Sequence, residues 1–181
     1  MTNVTLSGNE AIDGGGIAVD GTSTRADLTN VTIANNTASN EGGGIFNAFG
    51  QGDVNVEATI VSGNMAMNND ANVNPGHFDN LGSNLIGDDH NLLLGDLADN
   101  GGPVQTHALL PGSSDAIDGT GSQDETDSRG FLINDGNRDI GAFEFGSTPA
   151  SQLAGLLFTT CLLYTSPSPR DRTRYRMPSS A

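Results

Sequence analysis

Apolar and polar residues alternate over short runs between Met1 and Ala66, a pattern typical of strands that bury one face. In IAV (17–19) and VTI (31–33) the two outer residues share one face and the middle residue points to the other. Clusters of Gly, Asn and Asp, which favour turns, separate the runs. The pattern predicts seven strands: Val4–Leu6, Ile17–Val19, Ala26–Leu28, Val31–Ile33, Ile45–Asn47, Val54–Val56 and Thr59–Val61.

The same strand and turn recur along the chain. NVTL (3–6) returns as NVTI (30–33), and GGGI (14–17) returns as GGGI (42–45) at nearly the same spacing. Self-similarity at a period of about 20–50 residues is typical of a stacked array. Because each period holds three short strands and few helix formers, we predict an all-β parallel β-helix, a solenoid with three strands in each coil of about 28 residues.

Glycine and asparagine mark the corners of each predicted coil. The turns SGNEA, ANNTA and SGNMA follow three equivalent strands and place one Asn of each in a single column. Glycine accepts the positive φ of a sharp corner and leaves room for the coil above, while stacked Asn amides can bond to one another. We therefore expect nine residues to be structural: Gly14, Gly15, Gly16, Gly42, Gly43, Gly44, Asn9, Asn36 and Asn64.

The charge balance excludes one large class of partners. The 181 residues carry 22 acidic groups against 7 arginines and no lysine, for a net charge of −15. Such a surface cannot neutralise phosphates, so we expect no nucleic-acid binding. The single cysteine, Cys161, excludes an internal disulfide.

The second half of the chain carries three motifs that resemble a known module. They are LADNGGPVQTHALLPGSSDAIDG (97–119), TDSRGF (126–131) and DIGAFEF (139–145). They resemble the closing module of bacterial choice-of-anchor Q domain proteins, which are grouped with polymorphic outer-membrane-protein-like sequences. The resemblance to this family covers residues 1–146, with the repeats first and the closing module after them. The resemblance implies a right-handed parallel β-helix and a secreted or cell-surface setting.

Two departures from that family pattern are visible. Many relatives carry Pro-Ala-Ile-Asp where this chain has Ser114–Asp118, and many carry a cysteine where it has Arg138. The family has no established catalytic residues, so the resemblance implies none here.

We divide the chain by these patterns. Residues 1–66 are predicted to form β-helix coils, 67–146 irregular coils and the closing module of the same domain, 147–160 a linker, and 161–181 a disordered tail. The chain opens inside a strand pattern, which indicates a C-terminal fragment that lacks upstream coils. The tail resembles translated sequencing-adapter DNA, and residues from about Ser147 onward are expected to add nothing to the fold. The apolar run LAGLLFTTCLLY (153–164) is too short to cross a bilayer, which takes about 20 residues.

Arg129 is the candidate structural ion-pair residue of the closing module. It stands in an acidic neighbourhood that includes Asp118, Asp124, Glu125 and Asp127. The alternative is that Arg129 binds a carboxylate ligand such as a sugar acid.

No metal or cofactor site is predicted. His77, His90 and His107 have no paired spacing of the kind that zinc sites use. NDGNRD (134–139) resembles the start of a calcium loop but lacks its glycine and its closing glutamate, so we interpret it as a turn and leave calcium open.

Two functions from different classes remain. The first is a non-enzymatic structural, adhesive or glycan-binding segment of a secreted or surface-displayed bacterial protein, outside the cell or on its surface. The expected partner is a polysaccharide or cell-surface glycan, and the monomer would tend to associate end to end through its unpaired first strand. The alternative is a polysaccharide lyase or glycoside hydrolase on the same fold. Arg25 is the only base within the predicted coils, and Thr5, Ala18, Thr32 and Phe46, which are expected to face outward, supply no acid pair.

Overall fold

A computed structural model describes residues 1–48, 52–68, 71–74, 78–119, 126–133 and 135–149. The described part of the chain is all-β, as the alternating pattern predicts. Its strands are β1 (Thr2–Ser7), β2 (Glu10–Ala11), β3 (Ile17–Val19), β4 (Arg25–Ala34), β5 (Thr37–Ala38), β6 (Ile45–Asn47), β7 (Asp53–Glu57), β8 (Ile60–Ser62), β9 (Met65–Ala66), β10 (Phe78–Asn80), β11 (Leu85–Ile86), β12 (Leu94–Ala98), β13 (Thr106–Leu109), β14 (Phe131–Leu132) and β15 (Thr148–Pro149).

Equivalent strands of the repeat pair in parallel. The largest sheet has the order β10-β7-β4-β8-β11, with β1 also paired to β4. Val4 lies opposite Val31, and Thr32 lies opposite Ile60, so each strand meets its counterpart in the next repeat. The predicted column of Val4, Val31 and Thr59 is confirmed by this register and by a hydrogen bond from the Val31 N–H to the Thr59 Oγ1 at 3.4 Å.

In two smaller sheets, paired residues are separated in the chain by the same repeat period as in the large sheet. Strands β2, β5 and β9 form one, in which Thr37 lies between Glu10 and Met65. Strands β3 and β6 form another, which an isolated parallel bridge from Ile45 to Val73 extends. The two-residue strands of the first set lie at the Asn turns, where the sequence pattern predicted no strand.

The prediction of separate strands at Ala26–Leu28 and Val31–Ile33 is wrong in one respect. Both belong to the ten-residue strand β4, which pairs with β7 through its first half and with β1 and β8 through its second. Asn30 lies at the junction with a φ of 53°, so the strand bends there without ending.

One hydrophobic core lies among the sheets of the repeat. The prediction that Ile17 and Ile45 share an interior is confirmed, because both are buried in the same cluster. The buried members of this cluster are Ile17, Val19, Leu28, Val31, Ile33, Ile45, Val54, Val56 and Val61.

A second core lies on the opposite face of the large sheet. Ile60 and Leu85 occupy adjacent strands in register and pack against Leu109, Ala116 and Ile140 of the later segment. Since neighbouring residues of a strand face opposite ways, Ile60 belongs to this core while the next residue belongs to the first. The predicted closing module therefore packs against the face of the large sheet that carries Ile60 and Leu85.

Thr32 lies on the face of the large sheet that the later segment covers, and it is hydrogen-bonded to that segment. We expected its side chain to face outward; it is buried, and its Oγ1 accepts a hydrogen bond from the Ala142 N–H at 3.0 Å. The Gly141 N–H donates to the Ala58 carbonyl at 2.9 Å. The motif DIGAFEF is thus bonded directly to the repeat.

The compact unit extends past the last of the three motifs. Contacts within the chain define one unit from Met1 to Thr148 and a second from Pro149 to Ala181. Ser147, at the boundary where residues were expected to stop contributing to the fold, takes part in it: its hydroxyl accepts from the Arg129 Nη2 at 2.6 Å and donates to the Glu144 carbonyl at 2.9 Å. Strand β15 also pairs with β14. The rest of the predicted linker (150–160) and the predicted tail (161–181) lie outside the described residues.

Among the described residues there is no helix with the length and apolar character that a membrane crossing requires.

Candidate functional site

The glycine corners combine two physical requirements. Gly14 and Gly42 have φ values of 65° and 63°, a region that residues with side chains rarely adopt. The glycines that follow are needed for space, because a Cβ on Gly15 would lie 2.5 Å from the Gly43 carbonyl oxygen. A Cβ on Gly16 would likewise lie 2.6 Å from the carbonyl oxygen of Gly44.

The backbone of one corner is bonded to the next. The N–H groups of Gly14 and Gly15 donate to the carbonyls of Glu41 and Gly42 at 3.1 and 3.2 Å. On the second corner, a Cβ on Gly43 or Gly44 would collide with carbonyl oxygens of the segment that follows β8. The six glycines let these stretches of backbone stack in direct contact.

The asparagine column forms a continuous amide ladder. The Nδ2 of Asn9 donates to the Oδ1 of Asn36 at 2.9 Å, and the Nδ2 of Asn36 donates to the Oδ1 of Asn64 at 3.0 Å. Asn36 and Asn64 are buried, so these bonds satisfy groups that have left water. Asn72 extends the ladder by accepting from the Asn64 Nδ2 at 3.0 Å. The sequence did not reveal Asn72, because it follows Asn64 far sooner than the repeat would place the next member.

Arg129 is the centre of a buried polar cluster. Its guanidinium Nη2 lies 2.6 Å from the Asp127 Oδ2, and both side chains are almost fully buried. The guanidinium also lies between two aromatic rings, 4.3 Å from the Phe131 centroid and 3.8 Å from that of Phe143. A cation between two ring faces gains electrostatic stabilisation that water does not screen.

The remaining contacts of Arg129 join the three motifs of the second half. Its Nη1 donates to the Asn100 carbonyl at 3.2 Å, and its Nη2 donates to the Glu144 carbonyl at 2.7 Å. Of the acidic residues expected around it, Asp127 is the ion-pair partner, and Asp124 and Glu125 lie outside the described residues. With 6% of its side chain exposed, Arg129 offers no approach for a sugar acid.

Two buried carboxyl groups adjoin this cluster. Glu144 is 1% exposed, and burial raises its pKa to about 7. Burial also raises the pKa of Asp139, although its carboxylate accepts hydrogen bonds from the N–H groups of Phe145 and Asp118. Sequence reasoning missed Glu144, and the available signal was a charged residue inside the apolar run DIGAFEF.

His90, His107 and the described turn residues 135–139 are not gathered into a metal site. His107 is buried between the Gly95 carbonyl, 2.8 Å from its Nδ1, and the Ser7 hydroxyl, 2.7 Å from its Nε2. His90 contacts the Ile86 carbonyl at 3.2 Å, while His77 lies outside the described residues. No group of three potential metal-ligating side chains occurs in the described part of the chain.

A cleft of about 270 Å³ opens where the ends of β4 and β8 face β12. Asn35 and Ser62 line it on the sheet side. Leu92, Leu94 and Asp96 line it on the opposite side. The cleft therefore combines an amide, a carboxylate and two aliphatic side chains.

Both walls of the cleft are held by hydrogen bonds. On the sheet side, the Asp88 Oδ1 accepts from the Ser62 hydroxyl at 2.9 Å and from the Gly63 N–H at 2.7 Å. These bonds, that from Gly63 first, lower the pKa of Asp88. On the other side, the bonds of His107 tie the Gly95 carbonyl of β12 to Ser7 of β1.

Comparison with known proteins finds no matching family model, no similar curated protein and no similar solved structure.

Proposed function

We propose that the chain is a right-handed parallel β-helix segment of a secreted or surface-displayed bacterial protein, with a non-enzymatic structural and glycan-binding role. The observation that carries this proposal is the common register shared by β1, β4 and β8, by β2, β5 and β9, and by β3 and β6. A chain that returns to the same position in several separate sheets after each period winds as a coil.

The closing segment supports the link to choice-of-anchor Q domain proteins. The three motifs that carry the resemblance meet at Arg129, which belongs to TDSRGF and bonds to Asn100 of the first motif and Glu144 of the third. Residues that lie far apart in the chain thus have a common structural role. A shared structural role explains why the three motifs would occur together in one module. The resemblance in turn supports a right-handed winding of the coils and an extracellular setting.

The lyase or hydrolase alternative needs a base or an acid that substrate can reach. The carboxyl groups with raised pKa, Glu144 and Asp139, are 1% and 2% exposed. Arg25 is exposed, and its Nε is held by the Asp27 carboxylate at 2.7 Å. These positions favour the structural role.

Cysteine cross-linking tests the proposed winding. Ala18 and Phe46 lie opposite each other in β3 and β6, so Ala18→Cys with Phe46→Cys, in a chain that also carries Cys161→Ser, should form a disulfide on oxidation. The control pairs Ala18→Cys with Asn47→Cys, one residue out of register and on the opposite face. Equal cross-linking of both pairs would contradict the register.

A turnover assay tests the non-enzymatic role. Purified protein should release neither unsaturated nor reducing sugar from acidic or neutral polysaccharides, with or without calcium. A turnover that persists through repurification and disappears in Arg25→Ala would establish the enzyme instead.

A further inference from the structure

We propose that the cleft between β4, β8 and β12 binds one or two units of a non-anionic saccharide, with an amino sugar favoured, through Asn35 and Asp96. This inference rests on the proposed glycan-binding role and names its site and its ligand class.

Asn35 is the first observation that points to a ligand. It occupies a corner with a φ of 59°, and the equivalent corners of the neighbouring coils are Gly8 and Gly63, with φ of 69° and 68°. Glycine suits this conformation best, so the corner itself does not require an asparagine. The side chain at this position lines the cleft and is exposed.

Gly63 gives the Asn35 amide its room. A Cβ on Gly63 would lie 3.1 Å from the Asn35 Oδ1, closer than ordinary packing allows. The alternation of Gly8, Asn35 and Gly63 therefore leaves one polar side chain at a corner where its neighbours have none. Its amide can donate to and accept from a hydroxyl group at the same time.

The second observation comes from the opposite wall. Strand β12 pairs with β13 through Leu94 and Leu97, but the register shifts between them, so Gly95 and Asp96 form a bulge. Bulges redirect side chains and occur often beside binding sites. Here the bulge places the exposed Asp96 at the cleft, and the bond from His107 to the Gly95 carbonyl holds the bulge in place.

Size and charge decide the class of ligand. A volume of about 270 Å³ is slightly below the roughly 300–1,000 Å³ of pockets for drug-sized molecules, which suits one or two sugar units. The lining is mostly polar, which suits the hydroxyl groups of a sugar, because Leu92 and Leu94 are partly buried against the second core and offer only a small apolar edge. The Asp96 carboxylate, on a chain of net charge −15, repels a uronic acid and attracts an amine.

The test compares three oligosaccharides of equal length: glucosamine trimer, its N-acetylated form and galacturonic acid trimer. Binding is followed by titration calorimetry at physiological ionic strength. We expect the glucosamine trimer to bind most tightly, the acetylated trimer more weakly and the acidic trimer not at all. Asp96→Asn should weaken glucosamine binding at least tenfold and remove the preference for the amine.

Asn35→Gly separates binding from folding. Glycine adopts the φ of 59° without the strain that a Cβ brings, so the variant should keep or raise the Tm while losing at least tenfold in affinity for both bound trimers. Asp20→Asn and Asn137→Gly, exposed positions that do not line the cleft, serve as matched controls and should bind as the native chain does.

The outcomes also distinguish this site from the proposed function. Binding that survives both cleft substitutions, or that favours the acidic trimer, overturns the cleft assignment while leaving a glycan-binding role elsewhere on the chain. Failure of all three trimers to bind overturns the saccharide site, whereas the structural role is judged separately by the cysteine cross-link in β3 and β6.

Discussion

The buried carboxyl group of Glu144 should make the protein less stable as the pH rises through the weakly acidic range. Its pKa is about 7 in the folded chain against an ordinary value of 4.5, so the folded state holds the proton more tightly than the unfolded state. Well below pH 4.5 both states are protonated and the group has no effect on stability. Between pH 4.5 and 7 the unfolded chain loses its proton first, and the free energy of unfolding decreases.

The size of the effect follows from the same two values. A difference between 4.5 and about 7 corresponds to about 3 kcal/mol at pH 8, at about 1.36 kcal/mol for each factor of ten. Desolvation is the main cause, Asp139 and Asp135 add repulsion, and the positive charge of Arg138 opposes both. The Glu144 Oε2 accepts one hydrogen bond, from the Asp139 N–H at 3.1 Å, which compensates only part of the desolvation.

Glu144→Gln tests this reasoning, because glutamine has nearly the shape of the neutral carboxyl group, keeps an oxygen that accepts the Asp139 N–H, and cannot ionise. At pH 8 the variant should be more stable than the native chain by about 3 kcal/mol, and at pH 4.5 the two should agree within about 1 kcal/mol. The free energies come from urea denaturation followed by circular dichroism at four pH values between 4.5 and 8.

Glu57→Gln, at an exposed position on β7, is the matched control and should show no such pH dependence. A difference between Glu144→Gln and the native chain that stays constant from pH 4.5 to 8, or that grows toward low pH, would refute the argument.

Three further predictions concern the ladder, the corners and the end of the unit. Asn36→Ala should destabilise the fold by about 3 kcal/mol in urea denaturation because it removes the buried amide that donates to the Leu6 carbonyl and to the Asn64 Oδ1, whereas Asn9→Ala, at the exposed end of the ladder, should cost under about 1 kcal/mol. Gly43→Ala should cost more than about 2 kcal/mol or prevent folding because its Cβ meets carbonyl oxygens, whereas Gly82→Ala has room and should cost under about 1 kcal/mol. Deletion of residues 150–181 should leave the Tm unchanged, whereas deletion of residues 147–181 should lower it by several degrees because it removes β15.

Much of the candidate site could not have been read from the sequence. Asn35 was visible as one member of a repeated turn, and its spacing from Gly8 and Gly63 identified the corner. Asp96 had no such signal, because it reaches the cleft through a bulge between β12 and β13. A bulge depends on how two strands pair, and neither strand alone encodes it.

The sequence predicted that Arg129 forms an ion pair, but it did not predict that Arg129 is buried. Its acidic neighbours in the sequence suggested that role, and Asp127 confirmed it. The ring of Phe131 is also local, but the ring of Phe143 comes from a separate motif that returns to the same place. The charged partner could be read from nearby sequence, whereas the complete enclosure of the guanidinium could not.

The sequence by itself determined the longer strands of the repeat from β1 to β8, their parallel offset, the glycine corners and the asparagine column, but not the two-residue strands β2, β5 and β9. A stacked repeat makes this information local, because each residue meets its own counterpart in the next period. Only the tertiary structure decided which face of the large sheet is covered by the later segment that contains Leu109, Ala116 and Ile140. That packing depends on single contacts across great distances in the chain, such as Thr32 with Ala142 and Asn3 with Arg138. No period relates these residues, so they are brought together by the burial of Ile60 and its neighbours and by the hydrogen bonds that this burial requires.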